Sequence, residues 1–323
     1  MKIKIRILTP VHIGSGEEIS PLEYLIVNNQ YHRISMDTLF ADPEFQKLME
    51  EFIKLAETQR YIGDVFPTSL LRRHLLYSLP ITGEAQNYLR NNKTVVKEFI
   101  KSAGRVYIPG SSLKGSILSA IFWDSLKKAY NSETFWNIKT KQRVNPLLAK
   151  EFITQSLQGR FRYDELLNFA FFRFATGAVR NRFAHWLDAV DSDRKLPSDV
   201  LQISLARVRG ARRGGALPIL YETLKEGVEF SAEIKSQNTI LSEGDILSIT
   251  NQFYRKVLEK DGNEINTDGI LIRLGQGSTA YATSCLILAE ELGIQRYQIK
   301  PPRTRKRIDE KIPLGWAEIR TMG

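Results

Sequence analysis

Ile3, Ile5 and Ile7 alternate with Lys2, Lys4 and Arg6 at the start of the chain, a period-two pattern that predicts an amphipathic strand up to Leu8. Leu22–Val27 and Tyr31–Ile34 are short β-rich runs, and Asn28, Asn29 and Gln30 between them predict a hairpin. From Asp37 the spacing of Leu39, Phe40, Phe45, Leu48, Phe52 and Leu55 is helical to about Ala56, and further helices are expected over Ser69–Ser78 and Glu84–Ile100. A strand over Arg105–Ile108 then runs through Pro109 and Gly110 into a helix over 112–129, whose Leu113, Ile117 and Ile121 share one face. The segment 131–160 shows no sustained period and reads as an inserted basic arm, carrying Lys139, Lys141, Arg143, Lys150 and Arg160. Phe161 to Ala175 is rich in aromatics that suit core packing better than base stacking, and Phe183–Val190 reads as a strand.

The second half repeats the alternation. Strands are expected over Val200–Val208, Val228–Ile234 and Gly269–Leu274, a helix over Ser242–Leu258, another over Thr279–Leu292, and a last strand over Pro313–Ile319. Strand, Gly/Ser turn and helix thus occur late in each half, at 105–129 and 270–292. Hairpins mixed with helices suit an α+β chain of two ferredoxin-like, RRM-like domains, 1–192 and 193–323, with helical and loop insertions, better than a doubly wound parallel sheet.

The turns carry the candidate chemistry. Ser111 or Ser112 can cap the helix that follows, Lys114 adds a charge in its first turn, and Gly115 leaves room for a close approach, so the turn suits an anion. Gly14, Ser15 and Gly16 follow the first strand with His12 beside them, and Gly275, Gln276 and Gly277 open the late helix. Arg207, Arg209, Arg212 and Arg213 cluster around Gly210, Gly214 and Gly215, and the tail from Lys300 to Lys311 holds Arg303, Arg305, Lys306 and Arg307.

Charge narrows the partner. The 323 residues carry 46 Lys and Arg against 36 Asp and Glu, a net +10 that points to nucleic acid. The single cysteine, Cys285, allows no internal disulfide and sits in an apolar run, and the first residues lack the unbroken apolar stretch of a signal peptide, so a cytoplasmic protein with no membrane association is expected. Ser116 stands where a P-loop needs its lysine, which argues against NTP hydrolysis. Gly275–Ala280 fits a dinucleotide turn, but Gln295 falls where the ribose-binding acid belongs and too little chain follows. His12, His32, His74 and His185 are scattered, Asp188, Asp191 and Asp193 read as turn acids, and neither metal nor cofactor is expected. What remains are N–H donors, hydroxyls and cations suited to an RNA backbone. Metal-independent RNA cleavage with His12 as acid/base stays open as the alternative.

Residues 108–116 look like the Pro-Gly-Ser-Ser-Leu-Lys-Gly signature of the RAMP superfamily of CRISPR-associated proteins, and residues 9–16 and 275–277 resemble two further motifs of that superfamily. Length, the 187–193 segment, and a tail of residues 301–305 followed by 313–316 most resemble the fifth subunit of the type III-A Csm effector complex. The resemblance leaves the arm at 131–160 outside. It implies two RRM-like domains and a subunit without a nuclease site that binds the 3′ part of the crRNA at the head of the filament. It also implies contact with target RNA and a neighbouring RAMP backbone subunit, and a part in crRNA 3′-end maturation with recruited host nucleases. Matched motif by motif, Gly14, Ser15 and Gly16, Gly110 to Lys114, and Gly275 to Gly277 are the RNA-facing turns.

Overall fold

The computed structural model describes residues 1–131, 135–137, 142–144, 146–158, 166, 170, 186–209, 217–237, 241–278, 280–283, 285–294, 305–309 and 311–322. The chain is α+β, built on two large sheets that both draw strands from the two sides of residue 192. In the first, β1 (Lys2–Ile7) is central, hydrogen-bonded antiparallel to Glu229–Ser236 on one side and to Trp316–Thr321 on the other. Ile5 stands opposite both Phe230 and Ile319. Its alternation resolves as expected: Ile3, Ile5 and Ile7 are fully buried and Lys2, Lys4 and Arg6 are exposed. The strands Leu187–Ala189 and Ile270–Arg273 form the edges. Two long helices, Gly110–Tyr130 and Glu243–Lys260, pack on this sheet and on each other, with Trp123 and Phe253 ring centroids 5.7 Å apart. The second of these helices begins at a capping box made by Ser242 and Asp245.

The second sheet has the order 312–313, 305–308, 201–209, 217–224, 96–99, 14–19. Its middle is the long antiparallel pair Leu201–Arg209 and Leu217–Leu224, and Val96–Phe99 joins parallel to it. A third sheet of Tyr24–Val27, Gln30–Ile34 and Leu75–Pro80 contains the expected hairpin, turned by Asn28 and Asn29 with φ of 51° and 60°. Asparagine tolerates that left-handed conformation, which the twist of a two-residue hairpin demands.

Several expectations change. The helix over 69–78 is cut to Thr68–Leu71 and a 3₁₀ turn, because Leu75–Pro80 finds a strand partner in Gln30–Ile34. The helix over 84–100 ends at Asn91, and the β-branched run Thr94–Val96 leads into a strand. Arg105–Val106 is a two-residue strand, paired with Lys101–Ser102 through Ala103 and Gly104 at positive φ. Within the arm, Phe135–Asn137 pairs with Gln142–Val144, and Pro146–Gln158 is helical, its start set by a proline at the first position. The late helix is two short ones, Ala280–Thr283 and Leu286–Glu291. Residues 210–216, 295–304 and most of 159–185 lie outside the described residues.

Candidate nucleic-acid interface

The three motif segments singled out in the sequence, 9–16, 108–116 and 275–277, are tied together through residues at or beside the glycines. Gly315 donates to the Pro10 carbonyl at 2.8 Å, Leu274 to the Gly315 carbonyl at 2.8 Å, and Gln276 to the His12 carbonyl at 2.9 Å. The Ser116 hydroxyl donates to the Arg273 carbonyl at 2.7 Å, which ties the first turns of the 110–130 helix to the same place. Close backbone approach explains two of the glycines. A Cβ on Gly275 would lie 2.1 Å from the His12 oxygen, and one on Gly277 would lie 1.9 Å from the Leu314 oxygen. These two residues pack chain against chain, and Gln276 between them is what the turn exposes. Gly14–Gly16 is different. It is exposed at the edge of the second sheet, where the register against 96–99 shifts between Gly14 and Glu18, and Gly16 at φ +97° has open space around it.

The turn before the 110–130 helix is already engaged by the chain's own acids. Neither Ser111 nor Ser112 caps the helix; Pro109 holds the cap position without a side-chain bond. The Gly110 N–H donates to Asp191 Oδ1 at 2.8 Å, and Lys114 Nζ lies 3.8 Å from Asp188 Oδ1. Gly110 is required by a neighbour, since its Cβ would sit 2.0 Å from the Ala189 oxygen. Ser111 and Gly115 are exposed, and a Cβ on Gly115 would meet nothing within 4 Å.

The sequence places His12 in a loop able to touch RNA, and the structure corrects this. Its ring is 2% exposed, lies 4.5 Å from the Tyr221 ring, and shares a 2.7 Å hydrogen bond through Nδ1 with the Glu222 carbonyl. Burial lowers its pKa to about 4 against the opposing pull of the Glu222 carbonyl, and Lys306, Lys101 and Lys97 lower it further. The ring thus packs inside the fold, away from the exposed turn beside it. The Glu222 carboxylate, on the same residue as that carbonyl, is fully buried and accepts from Tyr77 at 2.7 Å, from the Phe99 N–H at 3.0 Å and from Lys101 at 2.6 Å.

The arginines fall elsewhere. Arg207 stands directly opposite Arg307 in the pairing of 201–209 with 305–308, and Arg209 opposite Arg305. Like charges facing across a ladder are unfavourable unless an anion accompanies them. Arg207 Nε donates to Glu84 Oε2 at 2.8 Å, and Arg307 Nη1 to the Lys311 carbonyl at 2.9 Å. Strand alternation puts these two on the opposite face from Lys306. Lys306 lies 2.9 Å from Gln276 Oε1 and over the Tyr221 ring, and so belongs with the turns. Arg212, Arg213 and Arg303 lie outside the described residues, as do the side chains of Arg209 and Arg305. Sequence reasoning names Lys306 and Arg307 only as part of a basic tail and misses Lys97, which pairs with Glu18 beside the Gly14–Gly16 edge. The ladder register is the signal that places them.

Among the described residues, no group of three or more His, Cys, Asp and Glu could hold a metal ion, and no helix is long and apolar enough to cross a membrane.

Comparison with known proteins follows the same lines. The RAMP superfamily profile matches residues 4–274. The chain is 30% identical over 135 residues to the CRISPR system protein Csm5 of Methanocaldococcus jannaschii, covering 40% of this chain and 32% of that protein. It is 27% identical over 184 residues to Csm5 of Streptococcus thermophilus, covering 52% and 49%. The matched part thus spans about half or less of those relatives' length. In fold, it is similar to a chain from a cryo-EM structure of a type III-A Csm–crRNA–target RNA ternary complex, with a TM-score of 0.78, 22% identity and coverage of 99% and 100%. It is also similar to a crystal structure of T. onnurineus Csm5, with a TM-score of 0.69, 20% identity and coverage of 98% and 99%. The motif turns, the α+β architecture and the profile match agree: the chain belongs to the RAMP superfamily of CRISPR proteins, and resembles its type III-A Csm5 members.

Proposed function

We propose that this chain is a non-catalytic crRNA-binding subunit of a type III-A Csm complex. In this reading it caps the filament at the crRNA 3′ end and contacts target RNA and a neighbouring RAMP backbone subunit. It supports assembly and 3′-end maturation, with any trimming done by recruited nucleases. The observation that supports the reading is the junction of the three motif segments around the buried His12, with Ser15, Gly16, Ser111 and Gln276 exposed and Lys114 and Lys306 half-buried beside them. Photo-crosslinking of a crRNA carrying 4-thiouridine in its 3′ segment tests it within the reconstituted complex. Crosslinked peptides are expected from residues 14–16, 111–115 and 274–278. Crosslinks confined to other surfaces would contradict it.

A further inference from the structure

Residues 36–66 are charged unlike the rest of the chain. They carry seven acids against three bases, Lys47, Lys54 and Arg60, in a protein whose net charge is +10. They fold as short helices around an aromatic cluster, in which the fully buried Phe45 ring lies 5.2 Å from Phe66, 5.5 Å from Phe52 and 5.9 Å from Phe40. The longest of these helices, Met49–Glu57, holds five apolar residues, of which the fold buries Leu55 alone. Met49, Phe52, Ile53 and Ala56 follow the i, i+3, i+4, i+7 spacing of one helix face and stay partly or fully exposed, Ile53 at 53%. Phe40, 37% exposed, extends this stripe with its ring 5.2 Å from Phe52. A lone exposed apolar side chain is ordinary, whereas a contiguous stripe on a packed base marks a contact surface. Glu50 and Glu57 flank Ile53 at i−3 and i+4. Arg73 engages Asp42 and Glu44, but Glu50, Glu51 and Glu57 form no ion pair among the described residues.

We propose that this stripe docks a basic amphipathic helix of a partner protein, with the partner's apolar side chains on Ile53, Phe52 and Phe40 and its lysines or arginines against Glu50 and Glu57. The inference goes beyond the RNA-binding reading above and does not depend on it. Unpaired carboxylates at the rim repel a phosphate backbone and an anionic lipid surface alike, so the charge selects a cationic protein segment. The spacing of the four side chains is the one by which helices recognise each other, and the aromatic cluster beneath holds the anchors in place before the partner arrives.

The test is the binding of labelled peptides to the full chain, read by fluorescence anisotropy. One peptide places leucine and lysine at helical spacing, a second replaces its lysines by glutamate, and a third replaces its leucines by serine. The leucine–lysine peptide is expected to bind saturably and at least about tenfold more tightly than the other two. Ile53→Ser is expected to weaken it about tenfold, and the double variant Glu50→Gln, Glu57→Gln about fivefold, the second loss shrinking as salt rises. Two controls are expected to change it less than about twofold: Leu76→Ser, at a position 59% exposed, and Glu226→Gln with Glu264→Gln, at exposed acids elsewhere. The glutamate pair carries the test alone should Ile53→Ser fold poorly. Absence of saturable binding, equal binding of the three peptides, or equal losses in the controls would overturn the proposal. So would an Ile53→Ser chain that keeps the peptide but loses oligouridine RNA or phosphatidylserine vesicles, which would assign the stripe to RNA or to a membrane.

Discussion

His12 shows how far a single residue's role depends on what covers it. Beside two glycines in the sequence it has the composition of a catalytic loop, whereas the fold encloses it between Tyr221 and Phe99 and against the Glu222 carbonyl. Its lowered pKa has a consequence for stability. The unfolded chain binds a proton at this residue near pH 6.5 and the folded chain only near pH 4, so the stability His12 contributes is complete above pH 6.5 and is lost as pH falls toward 4. Urea unfolding at pH 7 and pH 5 is expected to show wild type losing about 2 kcal/mol more than His12→Gln over that interval. Equal losses would show that the ring is accessible when folded. Lys101→Met leaves the Glu222 carboxylate buried without its cation and is expected to cost about 3 kcal/mol in the same assay. The sequence could not reveal either partnership, because Glu222 lies more than two hundred residues from His12 and reaches it only through strand register.

At the scale of elements, local pattern was legible wherever side-chain period and partner agreed. The Ile3–Ile5–Ile7 strand, the Asn28–Asn29 hairpin and the helix at 243–260 all carry their own signals. The reading failed where tertiary pairing overrode a helical spacing, as in Leu75–Pro80 and Val96–Phe99, both paired with neighbouring strands. The glycine motifs were legible as turns but not in their separate reasons. Gly110, Gly275 and Gly277 admit neighbouring backbone, whereas Gly16 and Gly115 face open space. Gly115 offers a clean discrimination. As an exposed glycine inside a helix, its replacement by alanine is expected to raise stability by about 0.5–1 kcal/mol. If an RNA backbone approaches there, the same Gly115→Ala variant will bind crRNA more weakly although it is more stable. Unaltered affinity would give the glycine no role in binding. Gly275→Ala is expected to lose stability, since its Cβ has no room beside the His12 carbonyl.

For the whole molecule, the net charge of +10 indicated a polyanionic partner, and the motifs indicated a superfamily. What neither could supply is the geometry that unites turns a hundred or more residues apart, since it arises from strands of both halves entering shared sheets. That geometry also separates the arginines at 207 and 307 from the turns, on opposite faces of one sheet. The central claim is that the joined turns and Lys306 grip an RNA backbone by charge and hydrogen bonds. The measurement that tests it most directly is the salt dependence of crRNA binding by wild type and by the double variant Lys114→Ala, Lys306→Ala. The account predicts a log–log slope smaller in magnitude by about 1.4 in the variant, roughly 0.7 for each phosphate no longer neutralised. An unchanged slope would contradict it.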